Sequence, residues 1–570
     1  MPIRLFAAAL LAFPQETAPA PETPATPAVP VVSHAALAER MKALAGAALL
    51  PVGRSRQGRE IQAVRLPAEA RPGVPAILLV ANVDGSQPWT SALALHHAEA
   101  LARRSGEDGV KHFLERASLI VVPCANPDAH ERRFAAVQEE RESTGPGVDD
   151  DRDGREGEDP PSDVDGDGRV TWMRVPDPGG EWIADPNDAR ALIRADAKRG
   201  ERGIWKLWPE GRDLDHDERV AEDAPEDACV NRNFPEQFEE LAGRSGRFPM
   251  DEPEARALAD FVLLHPEIAL VVTYGNYDNL VERPKTTQAG ARNKLVPEAG
   301  VIESDAQLLA ELGKRYSEVT GNTAKGRGGD RGTFQAWAYA HRGLWSIAIC
   351  PWDIPLDAKK AEAKPDEAKP AEGEKPSEPK KEKDARDPSD DAKRLLWLDQ
   401  NPTESARFVP WHAFTHPELG PVEIGGFAPF ARNEPPAAKS GEIAAKELEF
   451  LLGLAGELPR VKIAEFSAKK LSDGVFELEA RVENDSRLPM QSAAARRAET
   501  QRPLRMRLEL ANGAQLLGGD RLLELERDLG GAGGRIEHRW LVRALSAEAA
   551  LLRIDTDHAG SDERRAEVKP

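Results

Sequence analysis

Short, wholly apolar runs alternate with segments of helical periodicity, and this alternation constrains the fold more than any other feature of the chain. Ala76-Ile-Leu-Leu-Val-Ala81 is a strand-like run, a helical pattern follows over Ser91 to Arg103, and Ala117 to Cys124 is strand-like again. The pattern resumes with a helix over Asp251 to Leu264, a strand Ile268 to Thr273, helices Asp305 to Val319 and Thr333 to His341, and a strand Leu344 to Ile349. Strands without a polar face must be covered on both sides, so the spacing predicts an α/β domain with helices on both sheet faces, over 34–456. After Pro459 the texture changes to short alternating segments, Val475 to Val482, Leu504 to Leu510 and His538 to Val542, separated by Gly and Asn turns. These predict a small all-β sandwich over 457–570, a module that binds or stabilises.

Charge and cysteine use narrow the function classes. The 570 residues carry 97 Asp and Glu against 76 Lys and Arg, a formal charge of -21, and such a field repels phosphate backbones and anionic lipid heads. Nucleic acid is therefore not an expected partner. Three cysteines, Cys124, Cys229 and Cys350, cannot make a disulfide scaffold or a thiolate-rich zinc module. No run of about 18 apolar residues is present, so no transmembrane segment is expected. Residues 1–20 combine a basic start, the apolar run Leu5 to Phe13 and the small residues Ala18-Pro19-Ala20, the layout of a secretory signal, which predicts a secreted or periplasmic protein. Residues 21–33 form a Pro/Ala-rich tether, and 357–393 repeat Lys, Glu, Ala and Pro as a disordered surface loop.

An acidic insertion occupies 145–228. Alternate carboxylates with a bend-permitting Gly recur at Asp149, Asp151 and Asp153, at Asp163, Asp165 and Asp167, and at Asp213, Asp215 and Asp217. This spacing matches the first half of a calcium loop, in which one turn wraps several hard oxygens around the ion. Pro160 and Arg174 stand at the twelfth position, where such loops place a closing Glu, while Glu158, Asp159, Glu222 and Asp223 follow at the tenth and eleventh. Structural calcium is expected there.

Five further segments carry a family resemblance. They are Asn126-Pro127-Asp128 after a strand, Val230-Asn231-Arg232-Asn233-Phe234-Pro235, Thr273-Tyr274-Gly275, Gly332 to Tyr339 leading to Pro351-Trp352-Asp353, and His416 to Gly426. In this order, over roughly 34 to 455, the chain resembles the zinc carboxypeptidase family, in the bacterial type with an acidic Asp-rich insertion. The resemblance implies a mixed-sheet α/β/α carboxypeptidase-like domain, a peptidase's zinc held by two imidazoles and a carboxylate, and a glutamate base.

The four positions that would carry this chemistry read otherwise. The HxxE pair of relatives is Asp84 and Gln87 here, the third zinc ligand is Val272, and the general base is Cys350. One charged oxygen and one amide are too few for a tight zinc site. Rescue by His96 or His97 would place the ligand on the helix after the loop. The resemblance also implies that Asn231 and Arg232, with either Arg132 or Arg133, hold a substrate's terminal carboxylate. Arg232 paired with the acidic insertion is the competing reading. Arg327 and Arg331 add positive charge to a Gly-rich turn, and no tyrosine lies between Tyr316 and Tyr339 to cover a substrate. Cys350 in an apolar strand reads as inert core, and Trp205, Trp208 and Trp337 as packing.

The expected protein is an exported, non-hydrolytic member of this fold that binds peptide or cell-wall-peptide C-termini. An active metallocarboxypeptidase with rearranged ligands and a structural cell-envelope protein remain the alternatives.

Overall fold

In the computed structural model the described residues are 26–143, 159–214, 220–221, 229–240, 245–287, 299–327, 331–358, 386–525, 529–544 and 550–568. The signal-like residues 1–20, and Asp149, Asp151, Asp153, Glu158, Asp215, Asp217, Glu222, Asp223 and most of the 357–393 segment, lie outside them.

The central sheet has six strands in the order Ala48–Arg54, Glu60–Leu66, Ser118–Val122, Ala76–Ala81, Ile268–Tyr274 and Trp345–Ile349. The first two pairings are antiparallel and the other three parallel, so the sheet is mixed. Alternate residues feed two cores, as the two-residue strand period requires. Ile77, Leu79, Leu270 and Ile347 meet the helices Pro88–Arg103, Glu303–Thr320 and Ala437–Leu454. Leu78, Val80 and Val271 meet Pro253–Leu264 and Phe334–Ala340 on the opposite face. Chain order runs outward in both directions from Ala76–Ala81, towards Ser118–Val122 on one side and Ile268–Tyr274 on the other. Loops leaving the carboxyl ends of neighbouring strands diverge at such a reversal and leave a crevice. Asp84, Asn126, Asn276 and Cys350 all sit in loops that leave these strand ends.

Three features depart from the sequence expectation. Residues 26–33 are not a free tether: Val29 is buried, its carbonyl accepts from Trp89 Nε1 at 3.1 Å, and its N–H donates to Ser440 Oγ at 3.0 Å. The helix Asp390–Gln400, capped by Ser389 Oγ on the Ala392 N–H, begins inside the last residues assigned to the charged loop. The acidic insertion is also more than calcium loops. Its strands Trp172–Pro176, Trp182–Asp185, Asp188–Arg194 and Trp205–Pro209 join the distant hairpin Phe408–His416 and Gly420–Phe427 in one six-stranded antiparallel sheet.

Residues 461–568 form a five-stranded and a four-stranded sheet around Phe466, Leu478, Val482, Met506, Trp540 and Leu552. Val475–Asn484 alternates half-buried and buried residues along its whole length, the pattern of a strand with one face on a core. The module is fastened to the first domain by Trp345 Nε1 on the Pro489 carbonyl (3.2 Å) and by Asp305 Oδ2, which accepts from the Ala493 N–H at 2.7 Å.

Candidate functional site

The loop after Ala76–Ala81 turns sharply to deliver Asp84 and Gln87. Asn82 adopts positive φ, its Oδ1 accepts from the Gln87 N–H at 3.0 Å, and Gly85 follows at φ 77°. A Cβ at Gly85 would stand 2.3 Å from the Ala129 methyl, so only glycine lets the loop rest against the Asn126–Ala129 turn. Asp84 is buried, with Oδ1 accepting from Asn231 Nδ2 at 3.1 Å and Oδ2 from the Asn276 N–H at 3.1 Å. A Cβ at Gly275 would lie 2.8 Å from Asp84 Oδ2, so this close approach also needs glycine. Burial, reinforced by the Glu142 charge, pushes the Asp84 carboxyl up to about 6, against the two hydrogen bonds and Arg327.

Asn276 is the hub of the site. Its N–H holds Asp84, its Nδ2 donates to Ser86 Oγ (2.9 Å) and Glu142 Oε1 (3.4 Å), and its Oδ1 accepts from Gln87 Nε2 and from Asn433 Nδ2 (3.3 Å). Glu142 also takes the Arg327 guanidinium in an ion pair. Burial raises the Tyr277 phenol, Asp84 adds to this and Arg232 opposes it, which sets the Arg232 charge near the same cluster. Among the described residues Arg232 has no ion-pair partner.

The remaining expected positions divide clearly. Val272 lies inside its strand, paired in register with Leu79 and Ile347 and enclosed by the helix-side core. Cys350 lines the cleft described below; burial pushes its thiol up, and Sγ contacts the Trp352 carbonyl at 3.6 Å. Gln87 Oε1 is buried without a partner. His97 is buried against Tyr274 Oη at 3.3 Å, held down to about 3 by desolvation, and does not belong to the converging acidic group found among the described residues. Val272 has no donor atom, Gln87 offers only a neutral amide, and no imidazole or second carboxylate among the described residues converges with Asp84, so these four residues do not fit a zinc ion.

Three of the expected carboxylate binders, Asn231, Arg132 and Arg133, have partners within the protein. Asn231 donates one Nδ2 hydrogen to Asp84 and accepts the Phe334 N–H on Oδ1 at 2.9 Å, so its amide ties the loop in place. Arg132 pairs with Glu139 at 3.5 Å and Arg133 with Glu434 at 3.3 Å, and neither is among the residues lining the cleft. The cleft is lined instead by Arg141, Arg327, Arg394 and Arg432; the sequence pointed to Arg327 as added charge in a Gly-rich turn, whereas Arg141 stands in an irregular loop beside acidic residues and gave no signal. The Asn-Pro-Asp motif is structural as well. Asn126 caps the following turn through the Ala129 N–H (3.1 Å), and buried Asp128 binds Ser55 and Arg59.

These residues border a cleft of about 500 Å³ between the crevice and the insertion sheet, lined by Arg141, Glu142, Asn276, Arg327, Cys350 and Trp172 among others. On its far side, Asp163, Asp165 and Glu210 bring one carboxylate oxygen each within 4.8 Å of one another. Asp163 accepts the N–H groups of Gly166 (2.7 Å) and Gly168 (2.8 Å), which folds the loop as its spacing predicts. Asp167 turns instead to its own backbone, on the Arg169 N–H at 2.8 Å. Asp159 is buried on the Leu214 N–H at 2.6 Å, and Asp213 is buried nearby in sequence; neither belongs to the converging group. Glu210 was missed, standing 210 − 163 = 47 residues on from Asp163 at a strand end. It is buried and pushed up to about 7 by desolvation.

Part of the chain is similar to known proteins. Residues 36–169 match the family model for zinc carboxypeptidases. Solved structures similar to the carboxypeptidase-like region include thrombin activatable fibrinolysis inhibitor (12% identity, 55% of this chain and 64% of that chain, TM-score 0.33). Carboxypeptidase A from Helicoverpa armigera is another (14%, 56% and 63%, TM-score 0.34), as is a metallo-carboxypeptidase from Burkholderia cenocepacia (12%, 55% and 58%, TM-score 0.29). This chain thus covers under two thirds of each of these. The zinc carboxypeptidase-like domain is of mixed α/β type, as the resemblance implied. Residues 460–567 match a domain of unknown function (DUF8731). No curated protein matches the sequence. Among the described residues, no helix is long and apolar enough to cross a membrane.

Proposed function

We propose that this is an exported, carboxypeptidase-like protein that does not hydrolyse peptides but binds their C-termini, those of cell-wall peptides included. The observation that carries this is the state of Asp84 at the first zinc-ligand position. Its two oxygens accept from Asn231 and Asn276, and among the described residues no imidazole joins it. Hydrolysis needs a polarised water and a base; here the base position is a buried thiol pushed above its ordinary range. Recognition needs only a cation that can meet a carboxylate. Arg232, without an ion-pair partner among the described residues, supplies it beside Tyr277, and Arg141 lines the adjoining cleft.

The insertion adds structural calcium in this reading. Asp163 and Asp165 provide hard oxygens from one loop, and Glu210 closes the site from the sheet.

Two measurements test the proposal. Elemental analysis of protein purified with zinc present is expected to find no stoichiometric zinc. Chelator-sensitive release of C-terminal residues from a peptide would overturn the non-hydrolytic reading. Calorimetry with a tripeptide bearing a free carboxylate is expected to show binding that Arg232→Ala weakens roughly 10- to 100-fold, the equivalent of a charged hydrogen bond of about 1.5–3 kcal/mol. Equal affinity for the C-terminally amidated peptide would sink the recognition half.

A further inference from the structure

A second groove lies on the insertion sheet and is continuous with the cleft, sharing Trp172, Phe427 and Arg432 with it. It has a volume of about 550 Å³, within the range of small-ligand sites. Its wall is aromatic: Trp172, Trp182, Trp208, Trp411, Phe408 and Phe427. Two separate chain segments build it, since Trp172, Trp182 and Trp208 come from the insertion and Trp411, Phe408 and Phe427 from the distant hairpin. Trp172 leaves 43% of its surface exposed, a costly placement for an indole that serves only packing.

The charged groups at this groove identify the kind of occupant. Arg190 pairs with Asp188 and Asp399, Arg194 with Glu181, Lys206 with Asp177, and Arg432 with Asp391. Every cation lining the groove is thus compensated, so neither an anion nor a cation gains from entering. The indole faces already accept flat polar groups: the Arg174 guanidinium lies 4.7 Å from both the Trp205 and Trp411 ring centres, and Arg194 lies 5.3 Å from that of Trp182. A purely apolar side chain would dry the rim N–H and carboxylate groups without replacing their water bonds. A sugar ring meets both demands. Its C–H face can lie on the electron-rich indole face, and its hydroxyls donate and accept at the rim.

We infer that the Trp172–Trp182–Trp411 groove is a binding site for an uncharged oligosaccharide, next to the cleft and independent of whether that cleft holds a peptide terminus. Titration of the full-length protein with chitohexaose and with cellohexaose, followed by tryptophan fluorescence and calorimetry, tests this. At least one hexaose is expected to give saturable quenching. Trp172→Ala, at the most exposed indole, is expected to weaken binding tenfold or more with an unchanged melting midpoint. Trp182→Ala provides a second variant, and at least one of the two must retain the wild-type circular dichroism spectrum. Absence of saturable binding of either sugar at millimolar concentration overturns the assignment. So does hexaose affinity that the folded variants leave unchanged, or binding of N-acetyl-Phe-amide in preference to both sugars. Because the probes carry no peptide, these outcomes stand apart from the Arg232 measurements.

Discussion

Two carboxylate clusters flank one cleft, and they have opposite chemical characters. In the crevice at the strand ends, Asp84 is answered by two asparagines, and Glu142 by Arg327 and Asn276. On the insertion, Asp163, Asp165 and Glu210 converge with one oxygen each within 4.8 Å of one another, and apart from His412 on Asp165 the bonds they accept are mainly from backbone N–H groups that set the loop's shape. Amide and guanidinium donors fill the place where a cation would compensate charge; backbone donors shape a place for one. Counting acidic residues therefore does not tell the two places apart, whereas the identity of their partners does.

The largest expected effect concerns Asp84. Its folded value of about 6 stands above the ordinary 3.8, so between these limits the folded protein holds a proton that the unfolded chain has released. Stability from this group is full below about pH 4 and falls as pH rises through 6, by about 3 kcal/mol. Asp84→Asn is expected to flatten that part of a plot of urea midpoint against pH; an unchanged slope would show that the carboxyl is not held neutral by burial. Calcium is next. At a hundredfold excess over Kd it is expected to add about 2.7 kcal/mol to stability. Glu210→Gln should abolish the rise in melting midpoint, and a rise that survives this change would place the ion elsewhere. Arg327→Ala should have the smallest effect. The Arg327 side chain is half-exposed but Glu142 is nearly buried, so losing the ion pair is worth about 1–2 kcal/mol. Because Arg327 favours the Asp84 carboxylate, its removal should move the pH inflection upward, and a downward shift would contradict the arrangement.

Much of the scaffold was legible because strands buried on both faces leave no choice of residue type. Ala76–Ala81 has the predicted limits, and Ile268–Tyr274 and Trp345–Ile349 differ from them by a single residue. The positions of Asp84, Val272 and Cys350 followed from those strands. Their environment did not. Asn276 acts mostly through its backbone N–H and amide, groups with no sequence signature, and Glu210 reaches Asp163 only across four intervening strands. The insertion sheet was illegible for a related reason. Trp172–Pro176 and Trp205–Pro209 mix Trp, Pro and basic residues without clear alternation, because one face covers a small core around Met173 and the other lines a groove. Val29 shows the same limit at the first domain's start, where a Pro-rich stretch is held by Trp89 and Ser440.

The pairing of Gly420–Phe427 with Trp172–Pro176 ties two stretches of chain that are far apart in sequence. A trimmed variant lacking 145–228 would consequently do more than shed an ornament. It would bare the unprotected rim of a two-stranded ribbon, and such a rim recruits copies of itself, so shortening this protein for expression is a route to clumping.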